Sequence, residues 1–389
     1  MKNQHTKLSI LALCASVLAL GSCADKMEIT PTKQSFHQSL LTLDTHVDIP
    51  LTYMTEAMDP STDTDAQVDF GKMKAGGLDA AFFIVYTPQT LIADGKYEDA
   101  RKIAETRFSA IQKMTEAYGD QIELAKTAAD VRRIDASGRR VALIGMENAF
   151  PLGPSVADVP MWAERGVRYM GITHMGHNQF GDSSNPKAQW GEETAPNGGL
   201  TPLGRELVAA MNKAGIMVDV SHAGRETMMQ AVALSKVPVI ASHSGVMGVA
   251  KSLRNLDDEQ LRALANNGGV VQLVALGSYV KALSPAQEKF KMDVRKRLGV
   301  ESDKKLYGMD DVLKEKYEAA IKPMYEMETP ASVSDYADHI DHAVKIAGID
   351  HVGIASDFDG GGGIVGWQDA SETENITNEL VKRGYSETD

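Results

Sequence analysis

Eight short apolar runs recur along the chain, at residues 40–49, 78–86, 141–147, 167–174, 215–222, 237–243, 269–276 and 351–357. Runs of this length, with little polar alternation and with Gly, Pro or charge at their edges, read as strands buried on both faces of a parallel sheet. Between them the period becomes helical. Residues 97–118 set Ile103, Phe108, Ile111 and Met114 at near-helical spacing, 200–214 repeat the pattern behind a Gly198-Gly199 break, and 257–266 do so with Leu261, Leu264 and Ala265. Strand followed by helix along most of the chain predicts the α/β class, as a TIM (β/α)8 barrel. A length of 389 residues fits one such barrel with insertions.

One connection exceeds what a barrel needs. Residues 277–329, between the seventh and eighth runs, are rich in Lys, Glu and Asp, and Ser284-Pro-Ala-Gln287 has the form of a capping box with proline in the first turn. A helical insertion beside the barrel mouth is expected, as solvated packing over the rim or as a lid. The final barrel helix is expected to begin near Ala337, with another over 370–383 behind the eighth strand. Ser386 followed by Asp389 looks like a helix start, so a closing C-terminal helix is expected to be missing.

The first residues read as a targeting segment. Lys2 and Lys7 precede an apolar stretch, 8–20, too short to span a bilayer, and Leu20-Gly-Ser-Cys23 resembles a bacterial lipobox. The expected organisation is a lipoprotein signal peptide at 1–22, a lipidated Cys23, a tether at 23–35 and a catalytic barrel at 36–389. The protein is then lipid-anchored in the bacterial envelope, on a periplasmic or cell-surface face; a plain secretory signal with an incidental cysteine is the alternative. Cys14 falls in the removed part, so one cysteine remains and no intrachain disulfide forms.

Composition narrows the partners. With 43% hydrophobic and 24% charged residues the chain is ordinary globular protein, and a net charge of −13 without a basic run disfavours nucleic acid and anionic lipid surfaces. A small substrate is expected.

Candidate chemistry lies at the carboxyl ends of the apolar runs, where barrel enzymes place their active sites. Five of the eight runs end on His or a carboxylate: Glu147, His174, His222, His243 and Asp357. In the first run His46 and Asp48, at i and i+2, face one side together and can hold one ion. Glu147 can bridge two cations, its charge offsetting their repulsion, and His222 with His243 complete the second ion's shell. A mixed imidazole and carboxylate set favours two zinc ions over magnesium or calcium. Gly360–Gly363 lacks the Lys-Ser/Thr of a phosphate loop and reads as a flexible strand exit. The 19 methionines read as core filling, and His339, His342 and His351 with Asp338 and Asp341 as an incidental cluster.

The motifs Asp44-Thr-His-Val-Asp48, Gly145-Met-Glu-Asn148, Tyr169-Met-Gly-Ile-Thr-His174, Asn197-Gly-Gly-Leu-Thr-Pro-Leu-Gly204, Val218-Asp-Val-Ser-His222, Ser242-His-Ser244, Arg254-Asn255 and Ser356-Asp-Phe-Asp-Gly360 together resemble the zinc-dependent membrane dipeptidases (renal dipeptidase family, peptidase family M19) over residues 41–385. The resemblance implies that His46 and Asp48 bind one zinc and His222 and His243 the other, with Glu147 and a hydroxide bridging them. It further implies that His174 polarises the scissile carbonyl, that Arg254 grips the free carboxylate of a dipeptide, and that Asp357 carries the proton to the leaving amine, with Asp359 the weaker candidate. A homodimer is also expected. The seventh run, Val270-Val-Gln-Leu-Val-Ala-Leu276, lacks the Asn-Phe of many relatives, and Tyr279 stands in for their substrate-facing tyrosine. Two other readings stay open: another metal-dependent amide or ester hydrolase, lactonase-like, and a non-catalytic peptide-binding envelope lipoprotein.

Overall fold

The computed structural model describes residues 35–301, 305–306 and 309–389; the segment holding the expected signal peptide, Cys23 and most of the tether lies outside them. Among the described residues nine strands form: β1 Leu43–Val47, β2 Ala80–Tyr86, β3 Ile122–Leu124, β4 Arg140–Glu147, β5 Val167–Gly171, β6 Met217–Asp219, β7 Ile240–Ser244, β8 Val270–Val274 and β9 Val352–Ala355. Eight of them pair in parallel in the order β1-β2-β4-β5-β6-β7-β8-β9. The circuit closes where Asp357 N donates to His46 O at 3.1 Å and Asp48 N to Phe358 O at 2.9 Å. This is the expected TIM barrel. β3 is an addition, pairing with β4 off the circuit; three residues carry no readable period.

Helices start where side chains satisfy the free N–H groups of a first turn. Tyr97–Ala117, Pro202–Ala214 and Asp258–Asn266 match the expected helices, the last two capped by Thr201 and by an Asp257/Gln260 capping box. The final barrel helix is Val333–Ala347, four residues earlier than expected, because Ser332 and Asp335 form a capping box that apolar periodicity does not reveal. The expected helix over 370–383 is broken into a 3-10 turn, Ala370–Glu372, and a helix, Glu374–Lys382. In the long connection Ser284 and Gln287 cap Pro285–Arg297, which packs on Asp311–Tyr325 around Val294, Ile321 and Met324.

Two seams of the barrel have few ladder bonds, and a buried aspartate spans each. At β6/β7 the ladder is reduced to Asp219 opposite Ile240. There Asp219 Oδ1 accepts from Ser221 N at 3.0 Å and Ser242 N at 2.9 Å, and Oδ2 accepts from Ser242 Oγ at 2.8 Å. At the closure Asp44 Oδ1 accepts from His46 N and Ser356 N, both at 3.0 Å. Burial pushes both carboxyls above their usual range, against the hydrogen bonds that favour the charge.

The histidines of the 339–351 region each have a structural partner. His339 accepts from Val246 N at 3.0 Å and donates to Val280 O at 2.8 Å, His342 bonds Asp258 at 2.7 Å, and His351 bonds Gly269 O at 2.8 Å. The His339 pair requires a neutral ring, and burial lowers its pKa below the usual 6.5. Below that value the unfolded chain binds the proton and the folded one resists it, so stability present above pH 6.5 is lost as pH falls. His339→Gln is expected to lower stability at neutral pH by about 1–3 kcal/mol and to flatten the decline of Tm on acidification. Parallel slopes of Tm against pH for parent and variant would remove His339 from that role.

Candidate metal centre and active site

Every candidate side chain emerges at the carboxyl end of the barrel. His46 and His243 lie within β1 and β7, Asp48 just past β1, and Glu147 is the last residue of β4. His174, His222 and Asp357 were expected at strand ends but stand on the loops that follow β5, β6 and β9. Those loops turn sharply: His222 and Asp357 have φ of 65° and 60°, and Asn148 and Asp359 have φ of 76° and 61°. Left-handed backbone is costly for residues other than glycine and persists where the surroundings impose it.

The side chains converge in two overlapping groups. His46 Nε2 stands 3.6 Å from Asp48 Oδ2, 3.8 Å from Glu147 Oε2 and 3.8 Å from Asp357 Oδ1. His222 Nε2 and His243 Nε2 are 2.9 Å apart, at 2.9 Å and 3.3 Å from Glu147 Oε1, with His174 Nε2 3.8 Å from the same oxygen. Glu147 therefore faces both groups, one with each oxygen.

Neighbouring residues orient the imidazoles. Tyr169 Oη donates to Thr45 O at 3.0 Å and so accepts from His46 Nδ1 at 3.0 Å. That puts a proton of His46 on Nδ1 and aims Nε2, buried and without a hydrogen-bond partner, at three carboxylates, where a proton or a cation can sit between them. Ser242 Oγ, donating to Asp219, likewise accepts from His243 Nδ1 at 2.8 Å and turns the Nε2 lone pair toward Glu147. Fixing a ring through its distal nitrogen is the usual support for a metal-ligating histidine. Gly145 makes room for Tyr169, since a Cβ there would lie 2.2 Å from the Tyr169 ring.

A profile of the membrane dipeptidases (peptidase family M19) matches residues 32–389. The chain belongs to peptidase family M19. The dipeptidase verJ of Clonostachys rogersoniana is 29% identical over 333 residues, covering 83% of this chain and 71% of that protein. The dipeptidase tcpJ of Claviceps purpurea is 28% identical over 332 residues, covering 84% of this chain and 66% of that protein. Among solved structures, the probable dipeptidase PvdM from Pseudomonas aeruginosa superposes with a TM-score of 0.85 at 32% identity, covering 91% of this chain and 92% of that one. A metallo peptidase from Rhodobacter sphaeroides, solved with a phosphinate mimic of the dipeptide L-Ala-D-Ala, shares the fold with a TM-score of 0.68 at 24% identity, covering 89% and 94%.

The charge balance of this M19 site fits divalent cations. Burial, with Asp48 and Asp357 alongside, pushes Glu147 up to about 8 despite His46. Burial disfavours a charge on His46, yet Glu147, Asp48 and Asp357 raise it to about 9. Burial, with Asp48 and Asp44, pushes Asp357 up to about 7. Carboxylates this crowded call for positive charge, which a metal supplies without a proton. Donor atoms 2.9–3.8 Å apart also match the spacing around a tetrahedral ion bound at about 2.0–2.2 Å.

A cavity of about 330 Å3 opens over these groups, lined among others by Tyr86, Arg107, His174, Arg254, Tyr279 and Asp357. That volume is at the low end for small-molecule sites. Burial first, then the charges of Arg254, Lys187 and His46, lowers His174 to about 3, so its ring is neutral. Arg254 is 2% exposed, donates from Nη2 to His243 O at 3.0 Å, keeps a buried Nε without an acceptor and places its Cζ 5.5 Å from the Tyr279 ring centre. Asp359 lines the cavity too, but its Oδ1 accepts from Gln67 N at 2.9 Å and it joins neither group of donors. The glycine run after Asp357 packs tightly: a Cβ on Gly360 would meet Asp48 Oδ2 at 2.1 Å and Asp357 Oδ1 at 2.7 Å. Tyr169, Ser242, Asp219, Gly145, Gly360 and Arg107 went unassigned from sequence. The first five stand inside the recognised motifs, Gly360 reading there only as part of a flexible exit, whereas nothing in its local pattern marks Arg107.

Proposed function

We propose that this chain is a dinuclear zinc dipeptidase. The observation that carries the reading is His46 Nε2, aimed by the Tyr169 bond at three carboxylates, beside the His222/His243 pair that shares Glu147. His46, Asp48 and Glu147 would hold one zinc and Glu147, His222 and His243 the other. When bound, the two ions supply Lewis acidity and make hydroxide available for attack near neutral pH. Arg254 takes the substrate's free carboxylate, for which an unpaired guanidinium with buried donors is suited. Neutral His174 donates to the oxygen of the scissile carbonyl as charge builds there. Asp357 receives a proton on the attack side and passes it to the departing amine. A lactonase-like reading lacks an explanation for a buried, unpaired Arg254 beside the centre. Among the described residues no helix is long and apolar enough to cross a membrane. The lipid anchor on Cys23, with the envelope location it implies, remains a proposal from the N-terminal pattern.

Zinc analysis and a dipeptide library test the reading together. Two zinc ions per chain and zinc-dependent release of free amino acids are expected; a metal-replete protein that cleaves no dipeptide would refute it. Asp357→Asn is expected to keep both ions and lower kcat by about 10²-fold, the low end for a proton carrier, because water in the open pocket takes over part of the transfer. Parental turnover in a fully metallated Asn variant would exclude Asp357 from that step.

A further inference from the structure

Arg107 is a half-buried cation in the wall of the catalytic cavity; Asp48 and Glu147, in the same wall, are the carboxylates whose charge it feels, and neither reaches it as an ion pair. It rises from the middle of the helix Tyr97–Ala117. Its Nε donates to Ile49 O at 3.0 Å and its Nη1 to Tyr86 O at 3.1 Å, the main chain just beyond β1 and at the end of β2. These bonds fix the plane of the guanidinium. Among the described residues no carboxylate pairs with it, and its Nη2 group has no acceptor. The face of Tyr86, 5.4 Å away, is its other neighbour in the cavity wall. A guanidinium stays charged at any working pH, and burial without a partner is unfavourable, so a fixed, unpaired one in a binding cavity is suited to an anion.

Position in the barrel says which part of a substrate that anion belongs to. β2, beside Arg107, and β7, which leads to Arg254, stand second and sixth in the eight-strand circuit, on opposite sides of the barrel. The candidate metal centre lies between them. A dipeptide with its carboxylate on Arg254 and its scissile bond over the centre directs its amino-terminal residue toward β1 and β2.

We propose that Arg107 reads the side chain of the substrate's amino-terminal residue and selects a carboxylate there, so that the preferred substrates are dipeptides beginning with Glu or Asp. The inference rests on the dipeptidase reading and adds a substrate class to it. The guanidinium also repels the substrate's own α-ammonium, a penalty that an acidic side chain offsets and a neutral one does not. Arg107 is thus a specificity residue, with no part in the bond-breaking step.

The test compares kcat/KM for Glu-Ala and its neutral isostere Gln-Ala, and for Asp-Ala and Asn-Ala, using zinc-loaded parent, Arg107→Met and Arg107→Lys enzymes. The parent is expected to prefer the acidic member of a pair by roughly ten- to a hundredfold, the worth of a hydrogen-bonded charge pair at a partly desolvated site. Methionine, which keeps the length without the charge, is expected to collapse the ratio toward one, whatever it does to the absolute rates. Lysine is expected to retain part of it. A parent that cleaves Gln-Ala as well as Glu-Ala overturns the proposal and leaves the dipeptidase reading standing. So does an unchanged ratio in the methionine variant, which would make Arg107 a strut between Ile49 and Tyr86. A parent that cleaves none of the four while cleaving other dipeptides overturns the proposal alone, and one that cleaves no dipeptide at all overturns both readings.

Discussion

Glu147→Gln is expected to lose metal and activity together, with zinc falling below two ions per chain and kcat/KM dropping by roughly 10³-fold or more, since the shared anion between two cations disappears. The amide keeps the shape of the side chain, so its Oε1 still reaches His222 and His243 while the negative charge is gone. Without metal the variant should fold at least as well as the parent, because Glu147 is a buried carboxyl, 4% exposed, that burial already drives toward its neutral form. Added zinc should raise the Tm of the parent strongly and of the variant weakly, as expected when a ligand binds only the native state. Elemental analysis with melting curves at zero and saturating zinc checks both. Two retained ions, or an equal Tm rise, would remove Glu147 from the shared position.

Arg254→Leu should damage substrate capture and leave the metals in place. The guanidinium makes one main-chain bond, to His243 O, lies beside Tyr279 and keeps a buried Nε without an acceptor, so leucine fills the site with little strain. Losing one partner of a desolvated charge pair costs about 2–5 kcal/mol, which corresponds to a fall in kcat/KM of roughly 30- to 5,000-fold on free dipeptides. Dipeptides amidated at the carboxyl end should be poor substrates for the parent and lose little more in the variant. Lysine should recover only part of the activity, returning the charge but not the fork. Equal losses on free and amidated substrates would assign Arg254 to support of the His243 strand and reopen the lactonase-like and binding-protein readings.

Much of this architecture is legible along the chain because a parallel barrel repeats one unit. Each buried strand is an apolar run, and its polar end is where chemistry collects, which is why His46, Asp48, Glu147, His174, His222, His243 and Asp357 stand out before any coordinates. What escapes are features that depend on neighbours distant in sequence. Gly145 belongs to a recognisable motif, but the reason for it is the Tyr169 ring on the next strand. Asp219 reads as one more acid until its bonds across the β6/β7 seam to Ser242 are seen. Arg107 sits among helical polar residues and has the look of a solvent-facing arginine; only the reach of its side chain to Ile49 and Tyr86 brings it into the cavity. The early start of Val333–Ala347 is a matter of capping, since Ser332 and Asp335 outweigh the later onset of apolar periodicity.

The closure of the barrel bears on the order in which this protein is made. Asp44, His46 and Asp48 leave the ribosome near the beginning of the barrel, and their partners Ser356, Asp357 and Phe358 leave near its end. Nearly the whole barrel must therefore be synthesised before the loop between them can close, and until then His46 has no Asp357 beside it. The proposed metal ligands end at His243, so what the late closure adds to them is Asp357 beside His46 and a fixed spacing between the first strand and the last, at the entropic cost of closing a loop of nearly the whole barrel.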